Sequence, residues 1–144
     1  GVGSASGAAL PGESTGLLSP AQSWRKVDQA TLSFGYGLSV TALQLTRAYA
    51  ILGNHGRDLN VRIIPDTSVQ VTGQVISAQV ADQVVKMMEA VIEPEGTGSR
   101  AAVAGYRIAG KTGTAHLFRK GGYDKSRYVG TFAGLAVRLV WLWW

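Results

Sequence analysis

The sequence GYRIAGKTGTAH, residues 105–116, decides how the rest of the chain is interpreted. It begins with bulky residues and then becomes a run of small residues around Lys111. A buried strand normally carries β-branched or aromatic side chains. This run of small residues leaves its backbone accessible, and its polar groups are the ammonium of Lys111 and the hydroxyls of Thr112 and Thr114. Glycine within a strand marks close approach by a ligand or by another backbone. The stretch therefore predicts a strand that faces a ligand.

The composition is that of a globular domain. The chain has 144 residues, enough for one domain with its own core, and its 46% hydrophobic and 16% charged content excludes a disordered chain. The absence of cysteine excludes disulfides and thiolate metal sites. The net charge of +5 is interpreted as an aid to solubility. No apolar run approaches the ~20 residues of a membrane span, and we expect no metal and no cofactor.

The first half of the chain predicts one apolar helix between loops. Residues 1–23 are rich in glycine, serine and proline and predict loop with a possible short helix. Thr41 is the predicted N-cap of a helix that runs to Leu52, and residues 53–56 end it with Gly or Asn in the left-handed conformation. His55 is expected at the surface or in a capping role, because no second metal ligand stands at a suitable spacing.

The second half predicts a hairpin, a helix and the two central strands. Residues 58–73 alternate like a short hairpin, and Ser77 caps a helix over about 78–92 in which Met87 and Met88 fill the core. One helical turn is expected over 97–102. Two further predictions complete this half: a polar hairpin loop over 119–127 and a returning antiparallel strand over 128–135.

Two other functions fit fragments of this pattern. Gly105–Thr112 matches the phosphate-binding pattern Gly-x-x-x-x-Gly-Lys-Thr, which requires an apolar strand before it and a helix after it, and the flanks predict neither. A nucleic-acid-binding module would use a basic loop with interleaved aromatic residues. The residues of that loop are Arg119, Lys120, Tyr123, Lys125, Arg127 and Tyr128. A solvated hairpin tip is the commoner meaning of such a loop, so we expect no nucleic-acid partner.

A possible nucleophile stands near the start of the chain. Ser23-Trp24-Arg25-Lys26 fits the Ser-x-x-Lys pattern of an acyl-transfer serine with its base. A nucleophile needs that base held rigidly beside it, and the surroundings of Ser23 are polar and exposed in character. We interpret this tetrapeptide as a chance match.

Two segments together resemble a known family. Residues 34–45, with the helix through 48–50, and residues 105–115 resemble a class B penicillin-binding protein, most closely the septal, division-type peptidoglycan D,D-transpeptidase. The resemblance covers residues 1–136. It implies an α+β fold of the kind found in penicillin-binding proteins and serine β-lactamases, an antiparallel sheet with flanking helices. The family's transpeptidase site joins a Ser-x-x-Lys helix start, a Ser-x-Asn loop and a Lys-Thr-Gly strand.

The resemblance assigns roles to four consecutive residues. Lys111 would supply positive charge near the serine and the substrate carboxylate. Thr112 and Thr114 would offer hydroxyls to that carboxylate or to a β-lactam, and Gly113 would let a ligand lie along the strand. The Thr114 N–H would be one donor of the oxyanion hole. Lys111 and Thr114 are thus the expected catalytic residues, and all four are expected to bind substrate.

The sequence also departs from the family pattern. It contains no Ser-x-Asn, and residues 1–136 resemble the C-terminal part of a transpeptidase domain, so the 144-residue chain alone is expected to be inactive. Residues 137–144 hold three tryptophans and are interpreted as an artefactual or non-homologous tail. For the parent, the resemblance implies peptidoglycan stem peptides and β-lactam antibiotics as ligands and division-machinery membrane proteins as partners. It also implies a periplasmic location, anchored by an N-terminal segment.

Overall fold

The computed structural model describes residues 2–64, 68–119 and 122–137. Its helices and strands are α1 (Lys26–Leu32), α2 (Ala42–Gly53), β1 (Arg57–Leu59), β2 (Val71–Gln74), α3 (Ala78–Met88), β3 (Arg107–Arg119) and β4 (Gly122–Val137). β1 pairs with β2, and β3 pairs antiparallel with β4. Helices and antiparallel strands thus make an α+β fold, as the sequence predicts. No helix in the described ranges is long and apolar enough to cross a membrane.

The chain divides into two compact units. The first unit comprises residues 1–48 and 58–73, and the second comprises residues 49–57 together with residues from 74 onward. Because the chain passes from one unit to the other within α2, β1 and β2, the two units share these elements.

In the first unit, polar capping fixes the start of α2. The Thr41 hydroxyl accepts the Gln44 N–H at 3.1 Å, and the Gln44 side-chain oxygen accepts the Thr41 N–H at 2.9 Å. This reciprocal pair confirms Thr41 as the N-cap. The Gln44 amide is buried and also donates to the carbonyls of Ser4 and Thr15, at 2.9 and 2.8 Å. Gln44 therefore ties the N-terminal loop to α2.

Helix α1 is an element that the sequence patterns did not predict. The Asp28 carboxylate accepts the backbone N–H of Arg25 at 2.9 Å and its guanidinium N–H at 3.0 Å. These bonds lower the pKa of Asp28 below its usual value. An aspartate in the first helical turn is a start signal, but the seven-residue helix is too short to show apolar periodicity.

In the second unit, the end of α2 differs in detail from the prediction. His55 and Gly56 take the left-handed conformation, with φ of 56° and 78°, and Asn54 does not. The Gly56 N–H bonds the Ile51 carbonyl at 2.8 Å and so closes the helix end. A Cβ on Gly56 would lie 2.1 Å from the Ile76 carbonyl oxygen, so this turn requires glycine.

Helix α3 begins as predicted, and its inward face agrees with the prediction in part, since Met88 is half-buried and Met87 is not. Ser77 accepts the Val80 N–H at 3.3 Å, and the α-helix ends at Met88, followed by a 3₁₀ helix over Glu89–Ile92. Ala81 is fully buried, whereas Met87 is 68% exposed, so its prediction as a core residue is wrong. The less exposed positions of α3 recur every three or four residues along one side of the helix. These positions are Ala81, Val84, Val85 and Met88. Both sides of α3 carry apolar residues, so periodicity alone could not choose between them.

The β3–β4 hairpin confirms the returning strand. Lys111 pairs with Ala133, Thr112 with Phe132, and a register shift lies between His116 and Phe118. The predicted loop over 119–127 is largely wrong, because β4 already begins at Gly122. The predicted helical turn before β3 is confirmed as a 3₁₀ helix over Ser99–Ala101. Of the predicted tail, β4 includes Val137, and residues 138–144 lie outside the described ranges.

Candidate active site

The four predicted site residues are consecutive within β3. Because successive strand residues point to opposite faces, Lys111 and Gly113 belong to one face and Thr112 and Thr114 to the other. Lys111 and Thr114 are exposed, and Thr112 and Gly113 are half-buried. Within the described residues, the strand beside β3 is β4, on one side only. A ligand that lies along the opposite edge of β3 could therefore contact side chains of both faces.

The Lys111 ammonium lies folded against its own strand. Its Nζ donates to the Thr112 carbonyl oxygen at 2.7 Å. This bond holds the positive charge close to the backbone of the Lys-Thr-Gly run. An exposed lysine of this kind is free to exchange its backbone acceptor for a bound anion at small cost.

Thr112 has a side-chain partner that the sequence did not reveal. Its Oγ1 lies 2.7 Å from the Oγ1 of Thr97, and either hydroxyl could be the donor. Thr97 lies in the turn between the 3₁₀ helices at Glu89–Ile92 and Ser99–Ala101. No motif links residues 15 positions apart, so only the two flanking glycines marked this turn as unusual.

Gly113 has a neighbour on β4 that gives it a structural role as well. A Cβ built on Gly113 would lie 2.6 Å from the Thr131 hydroxyl oxygen. That hydroxyl lies 3.5 Å from the Gly113 carbonyl oxygen, a long hydrogen bond. The close approach expected of a strand glycine is thus made, at least in part, by the adjacent strand. Its role towards a ligand stays a prediction.

Next to Thr112, the ring of Phe132 rests on three glycines. A Cβ would lie 2.9 Å from this ring if built on Gly98, 2.6 Å on Gly110 and 2.7 Å on Gly134. Contacts this short do not occur for real side chains, so the ring fills the space that three missing side chains leave. We call these four residues the Phe132 cradle. It holds the turn containing Thr97 against the hairpin.

Ser23 is placed poorly for nucleophilic chemistry. It ends a 3₁₀ helix (Ala21–Ser23) in the first unit, and its hydroxyl donates to the Pro20 carbonyl oxygen at 2.7 Å. Lys26 starts α1, and no hydrogen bond to Ser23 is found for it. A serine whose proton is held by a backbone carbonyl is not activated by a base. This geometry agrees with the interpretation as a chance match.

The two alternative functions find little support. Gly110, Lys111 and Thr112 lie inside β3, where a phosphate-binding loop would open a helix. In the basic segment, Arg127 pairs with Asp124 at 3.2 Å, which reduces its availability to phosphate. His55 lies on the surface, as expected, and pairs with Asp82 at 2.7 Å. The described residues contain no cluster of three or more potential metal ligands.

Comparison with known proteins now places the chain in a family. Residues 1–138 match the family described as Penicillin binding protein transpeptidase domain. The chain is 42% identical to the Probable peptidoglycan D,D-transpeptidase PenA of Neisseria flavescens over 136 residues, 94% of this chain and 34% of the relative. It is also 42% identical over 139 residues to Peptidoglycan D,D-transpeptidase FtsI of Escherichia coli K12, 94% of this chain and 23% of the relative.

A solved structure gives the same result. The penicillin-binding protein 3 of Mycobacterium tuberculosis, complexed with ampicillin, superposes with a TM-score of 0.85 at 40% identity, covering 95% of this chain and 34% of that chain. The chain therefore belongs to the penicillin-binding protein transpeptidase family. It spans about a third or less of the length of these relatives, and the predicted resemblance to a class B penicillin-binding protein is confirmed.

Proposed function

We propose that this chain is the part of a peptidoglycan D,D-transpeptidase that supplies the Lys-Thr-Gly wall of the acyl-transfer site. The observation that carries the proposal is the position of Lys111–Thr114 within β3, beside an edge to which no described strand is paired. The relatives named above are peptidoglycan D,D-transpeptidases, and one similar structure holds ampicillin. Stem peptides and β-lactams are the corresponding ligands.

In this proposal each residue has a distinct task at the edge of β3. The Lys111 ammonium leaves the Thr112 carbonyl and binds the negative charge of the ligand. The hydroxyls of Thr112 and Thr114 donate to the ligand carboxylate, and Gly113, which has no side chain, lets the ligand lie along the strand. The Thr114 N–H donates to the oxyanion that forms when a serine oxygen attacks the ligand carbonyl. The carbonyl's bond to nitrogen then breaks, and the leaving amine takes up the proton that the serine gave to its base. An amine of a second stem peptide then attacks the acyl-serine, forms the new amide bond, and gives up a proton through the base as the serine hydroxyl is restored.

The experiment uses a hybrid in which residues 1–136 replace the matched segment of E. coli FtsI. The hybrid should form a covalent adduct with a fluorescent penicillin. Lys111→Ala should lower the rate of adduct formation by a factor of roughly 10 to 100, because a lost hydrogen bond to a charged group costs about 1.5–3 kcal/mol. Lys86→Ala, an exposed lysine of α3, is the matched control and should label at the rate of the unsubstituted hybrid. Equal rates for Lys111→Ala and Lys86→Ala would refute the role of Lys111.

The isolated 144-residue chain is expected to form no adduct. Acyl transfer needs a nucleophile and its base within reach of one carbonyl, and the sequence has no Ser-x-Asn and no activated Ser-x-x-Lys. Losing a nucleophile costs orders of magnitude in rate, since the remaining groups only bind and polarise. Labelling of the isolated chain that disappears in Ser23→Ala would contradict this expectation and identify Ser23 as the nucleophile.

The domain boundary and the cellular setting are further parts of the proposal. We place the end of the homologous domain between residue 136 and residue 138, where the family match ends, so a chain ending at 138 should scatter less light than the full chain. The parent acts on the periplasmic face of the cytoplasmic membrane with division-machinery membrane proteins. The hybrid, fused to a fluorescent protein, should then collect at the division septum and replace FtsI in growth. A diffuse cytoplasmic signal without growth would contradict this setting.

A further inference from the structure

We propose that Thr97 is a positioning residue that prepares the Thr112 hydroxyl to bind the ligand carboxylate. The inference rests on the proposed function and adds to the Lys-Thr-Gly wall a residue that lies outside it. The observation behind it is the 2.7 Å distance between the two Oγ1 atoms.

The backbone around Thr97 is held on both sides. The Gly96 N–H bonds the Glu93 carbonyl at 2.7 Å, and the Gly98 N–H bonds the Val91 carbonyl at 2.9 Å. Gly98 is buried, and a Cβ on it would lie 2.9 Å from the Phe132 ring and 3.1 Å from Val91 Cγ2. The hydrogen bonds fix the shape of the turn, and the approach of Gly98 to the Phe132 ring packs the turn against the hairpin. Thr97 presents its hydroxyl to Thr112 from a fixed backbone.

The donor and acceptor capacity of hydroxyls determines which of Thr97 and Thr112 donates to the other. A threonine hydroxyl has one proton to donate and two lone pairs with which to accept. If Thr112 donates its proton to a carboxylate, it must accept from Thr97 rather than donate to it. A hydroxyl that accepts one hydrogen bond donates a stronger one, because the two bonds polarise each other. Thr97 thus fixes the rotamer of Thr112 and strengthens its donation to an anion.

The hydrogen bond between Thr97 and Thr112 should affect the rate of adduct formation only for anionic ligands. An ester in place of the carboxylate carries no charge, so the polarisation by Thr97 adds little to its binding. This difference separates positioning from a general structural role, which would affect both ligands alike.

The test measures the second-order rate of adduct formation in the hybrid described above, with a fluorescent penicillin and with the methyl ester of the same compound. Thr97→Val should slow the reaction of the acid roughly fivefold, the effect of one lost hydrogen bond near a charge, and leave that of the ester unchanged. Thr97→Ser keeps the hydroxyl and should restore the rate. In a Thr112→Val background, Thr97→Val should cause no further loss. Thr46→Val replaces an exposed threonine of α2 and serves as the control.

The outcomes are decisive in both directions. Equal slowing of acid and ester, failure of Thr97→Ser to restore the rate, or an additive loss in the Thr112→Val background would overturn the positioning role. Unaltered circular dichroism of Thr97→Val, with the acid alone slowed, would support it. If the unsubstituted hybrid itself fails to label, the proposed function falls and this inference falls with it; if it labels and Thr97→Val labels equally fast, the inference alone is wrong.

Discussion

Both units of the chain contain ion pairs, and the second also packs an aromatic ring against glycines. In the first unit, a half-buried ion pair joins α2 to β1, with 2.6 and 2.9 Å between the Arg47 guanidinium and the Asp58 carboxylate. The same guanidinium donates to the Ser6 carbonyl at 3.0 Å. In the second unit, Arg107 pairs with Glu89, and the Phe132 cradle and the β3–β4 ladder also bring backbones together. The first unit thus depends on directional polar bonds, and the second combines polar bonds with a ring packed where three side chains are missing.

This difference has a consequence for the site. Polar bonds between long side chains tolerate small movements, because arginine and glutamine can follow a shifted partner. The Phe132 ring, although 43% of the residue is exposed, occupies space that side chains on three glycines would need, so a side chain at any of them would force the ring or the strand to move. The residues proposed to act on the ligand lie in this second unit. Preorganisation of that kind is what electrostatic catalysis requires.

The largest effect should come from filling the cradle. Gly110→Val places a side chain 2.6 Å from the Phe132 ring and 2.9 Å from the Ala133 carbonyl oxygen, which should lower the free energy of unfolding by about 3 kcal/mol. Gly130→Val is the matched control, since a Cβ on Gly130 meets nothing within 4 Å. Urea denaturation of the 144-residue chain measures both. Equal losses would show that the cradle has no special importance.

A smaller effect is expected from breaking the ion pair. Arg47→Met keeps the length of the side chain but leaves the Asp58 carboxylate without its main partner. The expected loss is about 2 kcal/mol, as for other hydrogen bonds to charged groups. Hydrogen exchange should then increase in residues 1–48 and 58–73 while β3 and β4 stay protected. Faster exchange in β3 would mean that the two units do not respond independently.

The ion pair should also respond to acid. The Arg47 hydrogen bond is the main cause that holds the pKa of Asp58 below its ordinary value. A carboxyl whose pKa is lower in the folded state stabilises the fold above the unfolded-state pKa of about 3.9. That stabilisation is lost as the pH falls through the folded-state pKa. The difference in urea midpoint between the parent and Arg47→Met should therefore be constant from pH 7 to 5 and shrink below about pH 4. A constant difference at pH 3 would contradict the assignment.

The smallest effect is expected from the exposed pair of α1. The Arg25 side chain is 81% exposed where it meets Asp28, so water and salt screen the attraction. Arg25→Gln should leave the urea midpoint within the error of measurement. A loss as large as that of Arg47→Met would show that burial does not explain the difference between the two pairs.

The sequence predicted the elements that repeat locally and missed those that depend on distant partners. The alternation over 128–135 predicted β4, and Thr41 and Ser77 were recognisable caps because the N–H groups that donate to them lie three residues away. The contact between Thr97 and Thr112 and the packing of Phe132 on its glycines join segments with no shared pattern. The glycines of residues 105–116 were interpreted as marks of close approach by a ligand or another backbone, and a Cβ on Gly110 would meet the Phe132 ring and the Ala133 carbonyl oxygen. The position of a glycine in the sequence indicates that another group must approach its backbone, and only the fold shows which group that is.

The Phe132 cradle also determines the register of the β3–β4 hairpin. Sliding β4 by one residue along β3 would turn Phe132 to the other face, and sliding it by two would take its ring off Gly110 and onto a residue with a side chain. Either slip is penalised, so the ring selects one alignment of the two strands. Each two-residue step would displace Lys111 relative to β4 by about 7 Å, farther than a hydrogen bond can reach. The ring of Phe132, which has no proposed contact with the ligand, thus fixes the position of the Lys111 ammonium along the hairpin.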